Sequence, residues 1–423
     1  MFSFICKGII RDRKRSLLPV AVVTIGVMVV VFLDGLMGGM MDNMVRMTAN
    51  FQTGHLKVMT RAYAADEAQK PNDLALLGSG EVMEQLHRDY PAVDWTPRIF
   101  FGGLLDIPDE HGETKAQGPV TGQAVDLLSK GSQEPARLGL EKAITAGHII
   151  TQPGEILVSI DFAESFGVKP GDRVTFFGST MNGAMSFANY HVAGIVRFGN
   201  SMLDRGGIIL DIADARLLLD MEDAAGEIFG FLPGDKYHNE QAESIKTSFN
   251  NQQADNPDAY APVMTQLMDQ DMMRQTLGYT DSMSFFMLLL LMVALSIVLW
   301  NAGVLGGIRR YNEFGVRLAM GEVKRQLYRS LLTESLVIGI IGSAVGTTLG
   351  LLICLLLSRH GLDYSTVMKN IAMMIDPVIH ARITPRMYYI GAIPGILSML
   401  VGTALAGRTI YKRNTALLFK ELD

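Results

Sequence analysis

Cysteine is nearly missing from this chain: Cys6 and Cys354 are the only two in 423 residues. One lies in a basic head and the other inside a long apolar run, so they cannot meet, and the fold is expected to form without disulfides. With no apolar run before it, Cys6 is expected to be an inert thiol rather than a lipid-attachment cysteine. Paired cysteines at metal spacing are absent, and so is H-E-x-x-H. The eight histidines are scattered, and His55, His148 and His191 read as strand or turn residues rather than ligands. No Gly-Lys dipeptide occurs anywhere, which excludes the phosphate-cradling G-x-x-x-x-G-K-[ST] loop. Nothing nominates a nucleophile–base pair. The chain is therefore expected to be non-catalytic and to hold no cofactor or metal of its own.

What is present is apolar sequence in blocks. The mean hydropathy is +0.22, high for a chain of this length. The excess sits in four runs, 17–41, 283–307, 331–357 and 387–407. Each meets or approaches the roughly 20 residues that cross a bilayer. The first run is longer than the roughly 7–15 residues of a cleaved signal core and no A-x-A site follows it, so it is expected to be retained.

Charge orients these runs. Lys7, Arg11, Arg13, Lys14 and Arg15 precede the first. Arg309, Arg310, Arg317, Lys324, Arg325 and Arg329 lie between the second and third, and Arg408, Lys412, Arg413 and Lys420 follow the fourth. By the positive-inside rule all three segments are cytoplasmic. Residues 42–282 carry 34 acidic and 18 basic side chains, a net −16 hidden within an overall −6. That leaves no basic face for phosphates, so nucleic acid is not expected as a partner. The expected fold is a membrane protein with four transmembrane helices and a large α+β extracytoplasmic domain inserted between the first two. In order, the divisions are 1–16 (a cytoplasmic interfacial amphipathic helix carrying Phe2, Ile5 and Ile9 on one face), 17–41 (helix one), 42–282 (outer domain), 283–307 (helix two), 308–330 (cytoplasmic loop), 331–357 (helix three), 358–386 (short outer loop), 387–407 (helix four) and 408–423 (cytoplasmic tail).

Within the outer domain HLKVMT at 55–60 alternates like a strand, EVMEQLHRDY at 81–90 reads as a helix, and WTPRIFFGGLLDI reads as extended chain. EILVSIDFAESFGVKPGDRVTFFG at 155–178 predicts strand, short helix, a tight turn at Lys169-Pro170-Gly171-Asp172, and strand. YHVAGIVRF alternates again, and GGIILDIADARLLLDM predicts a strand followed by a helix capped by Asp211. The polar stretch 250–261 is expected to be the most flexible. In the apolar runs glycines recur four apart at Gly35/Gly39, Gly303/Gly307 and Gly391/Gly395. Gly342, Gly346 and Gly350 form one stripe, expected to let helices approach closely. Asp34 and Glu334 lie near helix ends, where an interfacial position accommodates their charge.

Between the second and third runs stands RRYNEFGVRLAMGEVKRQLYRSLLTES, short, basic and helix-patterned, with Gly321 set for a sharp reversal. A stiff corner transmits force, and with no nucleotide site in the chain the natural source of that force is a separate cytoplasmic ATPase.

This segment resembles the FtsX-like, or MacB-type, permeases of ABC transporters. Their loop reads R-x-x-E-[IF]-G-x-x-[RK]-A-[LM]-G, followed by basic residues and a leucine-rich helix with an early Glu. Here the matching positions are Arg310, Glu313, Phe314, Gly315, Arg317, Ala319, Met320 and Gly321, then Lys324, Arg325, Gln326, Leu327 and Glu334. Arg317-Leu318-Ala319 departs from the commoner Leu-Arg-Ala order. The resemblance implies a coupling helix, Arg310 with Glu313 to Gly321 (including Val316 and Leu318), that docks on the ATPase, and it makes Glu334 a recurrent family position. The 155–178 fragment is similar to the core of that family's outer domain. GIVRFGNSMLDRGGIILDIADARLLLDM and VTGQAVD look like the lipoprotein-releasing branch.

The implied protein is a permease of the bacterial inner membrane, with both termini cytoplasmic and the large domain periplasmic. Its expected partners are two copies of an ABC ATP-binding subunit that bind the ATP and Mg, a second permease (identical or homologous), the lipid membrane, and a periplasmic carrier or adaptor. On the lipoprotein branch it would extract a lipoprotein or other amphiphile from the outer leaflet. Two alternatives stay open: efflux of drugs, peptides or toxins with a periplasmic adaptor, and a signalling scaffold that regulates a periplasmic cell-wall hydrolase.

Overall fold

The computed structural model describes residues 13–109, 111–199, 201–309, 316–317, 320–363 and 378–412. Its first element, α1 (Arg13–Thr48), continues as a π-helical turn over Ala49–Thr53. At 1.5 Å per residue, the 36 residues of α1 extend about 54 Å, well beyond the roughly 30 Å of a hydrocarbon core. The described residues fall into two compact units. The helical unit comprises the chain up to Asp42, Thr276–Asp363 and the chain from Val378 on, and the sheet unit comprises Asn43–Gln275.

The sheet unit is built on ten strands: β1 (Leu56–Thr60), β2 (Asp94–Pro108), β3 (Thr114–Val125), β4 (Ile144–Gly147), β5 (Glu155–Ser159), β6 (Arg173–Ser179), β7 (Met185–Val196), β8 (Gly207–Asp211), β9 (Glu227–Phe231) and β10 (Pro262–Gln266). Their order is β10-β1-β9-β2-β3-β8-β5-β7-β4, with β6 pairing both β2 and β7. β3/β8 and β5/β7 run parallel and the other pairs are antiparallel. The 15-residue β2 serves two neighbourhoods: Asp94–Arg98 pair with β9, and Ile99–Pro108 pair with β3. Accordingly it carries Trp95 into one core, with Leu56, Val58, Leu86 and Phe249, and Ile99, Phe101, Leu105 and Ile107 into another.

Among the helices beside the sheet are α2 (Ser79–Asp89), α3 (Ile160–Phe166), α4 (Ile212–Leu219) and α5 (Asn239–Gln252). Their boundaries follow local chemistry. The Asp211 carboxylate accepts from the Ala213 N–H at 2.9 Å and so caps α4. Its other oxygen accepts from Leu127 and Leu128, tying the end of β3 to the same point. Gly167 ends α3 in the left-handed region, and Gly171 (φ +94°) turns the chain into β6. β6 pairs with β7 and β2, not with β5.

The stretch 250–261, expected to be the most flexible, carries side-chain to backbone hydrogen bonds. Asn250 exchanges hydrogen bonds with the backbone of Met264 at 2.8 and 2.9 Å, and the Arg61 guanidinium holds the carbonyls of Gln253 and Asn256. A polar composition does not reveal that its backbone acceptors are taken by an arginine from the other end of the unit.

The helical unit continues with α6 (Asp271–Arg309), which begins within the sheet unit, then α7 (Lys324–His360) and α8 (Ala392–Lys412). Among the described residues, three helical stretches are long and apolar enough to cross a membrane: Leu17–Thr53, Lys324–His360 and Met387–Gly407. In α6 the apolar stretch is shorter, Phe285–Asn301. The expected interfacial helix (1–16) and cytoplasmic tail (408–423) lie largely outside the described residues.

Candidate functional site

The bend between α6 and α7 is described at Val316, Arg317 and from Met320 onward; Arg310, Glu313, Phe314, Gly315, Leu318 and Ala319 lie outside the described residues. The Met320 N–H donates to the Val316 carbonyl at 3.0 Å, and the Glu322 N–H reaches back to the Arg317 carbonyl at 3.1 Å. Gly321 sits between them at φ +93°. This six-to-one bond over a left-handed glycine is a Schellman ending, which satisfies orphan carbonyls and fixes the exit direction of the chain. Three residues later α7 starts, so the reversal uses almost no slack. Val316, Met320 and Val323, on the two sides of the reversal, are 58, 75 and 62% exposed.

From the bend α7 runs into a seam with α1. A Cβ on Gly342 would lie 2.8 Å from Val23 Cβ; on Gly346, 2.6 Å from the Thr24 carbonyl oxygen; on Gly350, 2.8 Å from Val31 Cβ. Thus Gly342, Gly346 and Gly350 receive the ridge Val23, Val27 and Val31, all three fully buried. Apolar lipid supplies no hydrophobic drive between helices, so such contacts rest on close packing. Val27 also lies against Gly391 and Gly395, which lead into and line α8, so the ridge of α1 is enclosed on two sides. The Thr24 hydroxyl donates to the Gly342 carbonyl at 3.3 Å. Glu334, three turns into α7, is half-buried.

The far end of α1 is held by buried charge. In the sheet unit Arg98 is fully buried; its Nη2 lies 2.6 Å from Glu134 Oε2, and its Nη1 donates to the carbonyl of Asn50 in the π-helical turn at 2.6 Å. Arg137 takes the other Glu134 oxygen at 2.5 Å and Asp94 at 2.6 Å, and its guanidinium stacks 3.7 Å over the Phe231 ring. The Asn50 amide donates to the Arg137 carbonyl at 2.8 Å. Nearby, buried Lys57 bonds Glu67 and sits 3.8 Å from Glu227, which also pairs with Lys70 at 2.6 Å. Each of these ions would cost several kcal/mol to bury alone, so the pairs hold one another in place. No short motif marks this cluster.

His55 lies beside it, 2% exposed, accepting the Leu232 N–H on Nδ1 at 2.9 Å between the Phe231 and Tyr237 rings. Burial first, then Arg137 and His238, lowers its pKa from 6.5 to about 4. The folded unit therefore keeps the ring neutral where the unfolded chain protonates it. Stability is fully present above about pH 6.5 and falls as pH drops toward 4, by a span on the order of 3 kcal/mol. Denaturant titrations at pH 7 and pH 4.5 should show a larger acid loss for wild type than for His55→Gln. Equal losses would remove His55 from the acid response.

Among the described residues no three His, Cys, Asp or Glu side chains gather as metal ligands. His148 faces the Ile149 carbonyl at 2.9 Å, and His191 lies exposed in β7.

Comparison with known proteins gives two family matches that together span most of the chain. Residues 16–230 match the MacB-like periplasmic core domain, and residues 284–415 match the FtsX-like permease C-terminal region. Among solved structures the chain is similar to the crystal structure of the periplasmic region of MacB from Actinobacillus actinomycetemcomitans. The identity is 11% and the TM-score 0.35, over 55% of this chain and 95% of that one. No curated protein matches.

Proposed function

Because the chain belongs to the ABC-transporter permeases that carry a MacB-like periplasmic core domain and an FtsX-like C-terminal region, we propose that it is the membrane subunit through which a separate ATPase drives removal of a lipoprotein or other amphiphile from the outer leaflet of the bacterial inner membrane. In this reading the chain crosses four times, with residues 283–307 of α6 as the second crossing. The termini and the bend are cytoplasmic, the sheet unit is periplasmic, and two ATPase copies act on this chain and a second permease. ATP and Mg are bound by the ATPase; this chain binds neither.

The observation that carries the reading is the Schellman ending at Gly321, placed directly before the helix that grips α1. A push on Val316, Arg317 and Met320 reaches α7 through a turn with no slack, and the seam passes it to Val23, Val27 and Val31. The exposed apolar side chains at the bend suit a groove on a partner, and Arg317 together with Glu313 supplies the charge that orients the docking. Glu334 belongs to the same lever, near the membrane entry of α7.

The test is reconstitution. In proteoliposomes holding this chain, its ATPase and a fluorescent lipid-anchored protein in the outward-facing leaflet, ATP should move the anchored protein into the aqueous phase. The purified chain alone should hydrolyse no ATP. ATP turnover without any release of the anchored protein, but with export of a small molecule or activation of a cell-wall hydrolase, would overturn the lipoprotein reading.

A further inference from the structure

Gly35 and Gly39 on α1 keep a small-residue spacing that the Val23–Val27–Val31 ridge does not use. What comes close to them is extended chain, residues 378–386, which leads into the helical turn Met387–Ile390 ahead of α8. A Cβ on Gly39 would fall on the His380 carbonyl and lie 3.2 Å from the Ala381 Cα, so the neighbour there is backbone. The Arg382 N–H donates to the Gly35 carbonyl at 3.0 Å. A Cβ on Gly38 would lie 3.6 Å from the Arg382 Cβ, and the Arg382 guanidinium pairs with the Asp42 carboxylate. Met387 Cε lies 2.9 Å from where a Cβ on Gly35 would be. With His380 at Gly39 and Met387 at Gly35, the segment runs antiparallel to α1 along its glycine face.

The same segment is fastened to α7. Val378 and Ile379 pair with Asp363 and Leu362, just past the end of that helix. The Val378 side chain occupies the space beside Gly361, and His380 Nδ1 lies 3.2 Å from the Ser358 carbonyl oxygen. Ile379 and Ala381 are buried while His380 and Arg382 are exposed, the alternation of an extended chain with one face covered. Ala381 and Met387 join the apolar cluster of Val27, Val31 and Cys354. The Asp42–Arg382 pair is about half exposed on both sides, and pairs of that kind add little. The hold therefore rests on the close backbone approach at Gly39, the hydrogen bond at Gly35 and the buried Ala381 and Met387. Backbone atoms cannot rotate out of a tight contact as side chains can, so the join is stiff.

We propose that residues 378–386 form a permanent strap, which makes the C-terminal part of α1 move as one body with α7 and α8. The strap itself concerns the helical unit alone; its use in passing force along α1 rests on the coupling proposed above. The test is a disulfide. The 3.6 Å between the two Cβ positions of Gly38 and Arg382 falls in the range of about 3.5–4.5 Å found across disulfides. In a Cys6→Ser, Cys354→Ser background of the full chain in detergent, Gly38→Cys with Arg382→Cys should couple to near completion under mild oxidation and lose maleimide labelling. Met40→Cys with Arg382→Cys, on another face of α1, should stay reduced. Adding Gly39→Ala to the first pair should slow coupling at least about tenfold, because coupling tracks the fraction of chains with the strap seated. Asp42→Cys with Arg382→Cys, joined by a short bis-maleimide, gives a second pair if the first fails to fold. Once coupled, the chain should keep wild-type cargo-stimulated ATP hydrolysis in the reconstituted complex. Failure of both pairs to couple in a folded chain, equal coupling of the Met40 pair, or stimulation lost on oxidation and restored by reductant would each overturn the strap. A wild-type complex without stimulation would overturn the coupling instead, and the two cysteine pairs would still decide the strap.

Discussion

Glu134→Gln is expected to destabilise the sheet unit by about 3–5 kcal/mol, the usual cost of breaking a buried ion pair from one side. Glu134 is 1% exposed and pairs with both Arg98 and Arg137, so the neutral amide would leave two cations facing each other with one paired partner fewer. The loss falls on the Asn50 turn, because Arg98 and Arg137 are the residues bonded to it. Arg98→Met combined with Glu134→Leu should cost markedly less than the single change. It removes the pair together, fills the space with apolar atoms, and leaves Arg137 with Asp94 and the Phe231 ring. Denaturant unfolding of the full chain, followed by Trp95 fluorescence in a Trp300→Phe background, measures both. Trp95 is 4% exposed and three residues from Arg98 on β2, so it reports on this region. A Glu134→Gln variant within about 1 kcal/mol of wild type would show that the clamp carries little of the stability.

Gly346→Leu should separate α1 from α7. Its Cβ alone would lie 2.6 Å from the Thr24 carbonyl oxygen and 2.8 Å from Val27 Cβ. The obstacle is backbone, which cannot rotate aside, so the helices themselves must move. Overpacking typically costs about 1–3 kcal/mol, and here the lost contacts of the Val23–Val27–Val31 ridge add to it. The expected result is a clear fall in the melting temperature of the purified chain. Ile341→Leu, on an exposed face of the same helix, should leave it unchanged. Equal melting of the Gly346→Leu and wild-type chains would mean that the close approach at Gly346 is not needed.

What could be read directly from the sequence was local. The Asp211 cap, the Pro170-Gly171 turn and the reversal at Gly321 each depend on atoms within about five residues, so residue type and spacing suffice to place them. The apolar runs were legible because a bilayer demands uninterrupted length. The charged clamp was not legible. Arg98 and Glu134 are 36 residues apart and Lys57 and Glu227 are 170 apart, and alternation in HLKVMT gives no hint that Lys57 is as buried as its neighbours. The row Gly102–Thr121–Gly207 was hidden for the same reason: it exists only once three strands are in register. Glycine spacing marked a face of α7, but nothing in it named valines 23, 27 and 31 as the surface that face meets.

The most direct measurement is cargo-stimulated ATP hydrolysis by the reconstituted complex carrying Glu313→Arg together with Arg317→Glu. If the bend hands work from a docked ATPase to α7, stimulation should fall at least about tenfold while the melting temperature of the purified variant stays at the wild-type value. Wild-type stimulation by a correctly folded double variant would contradict the account.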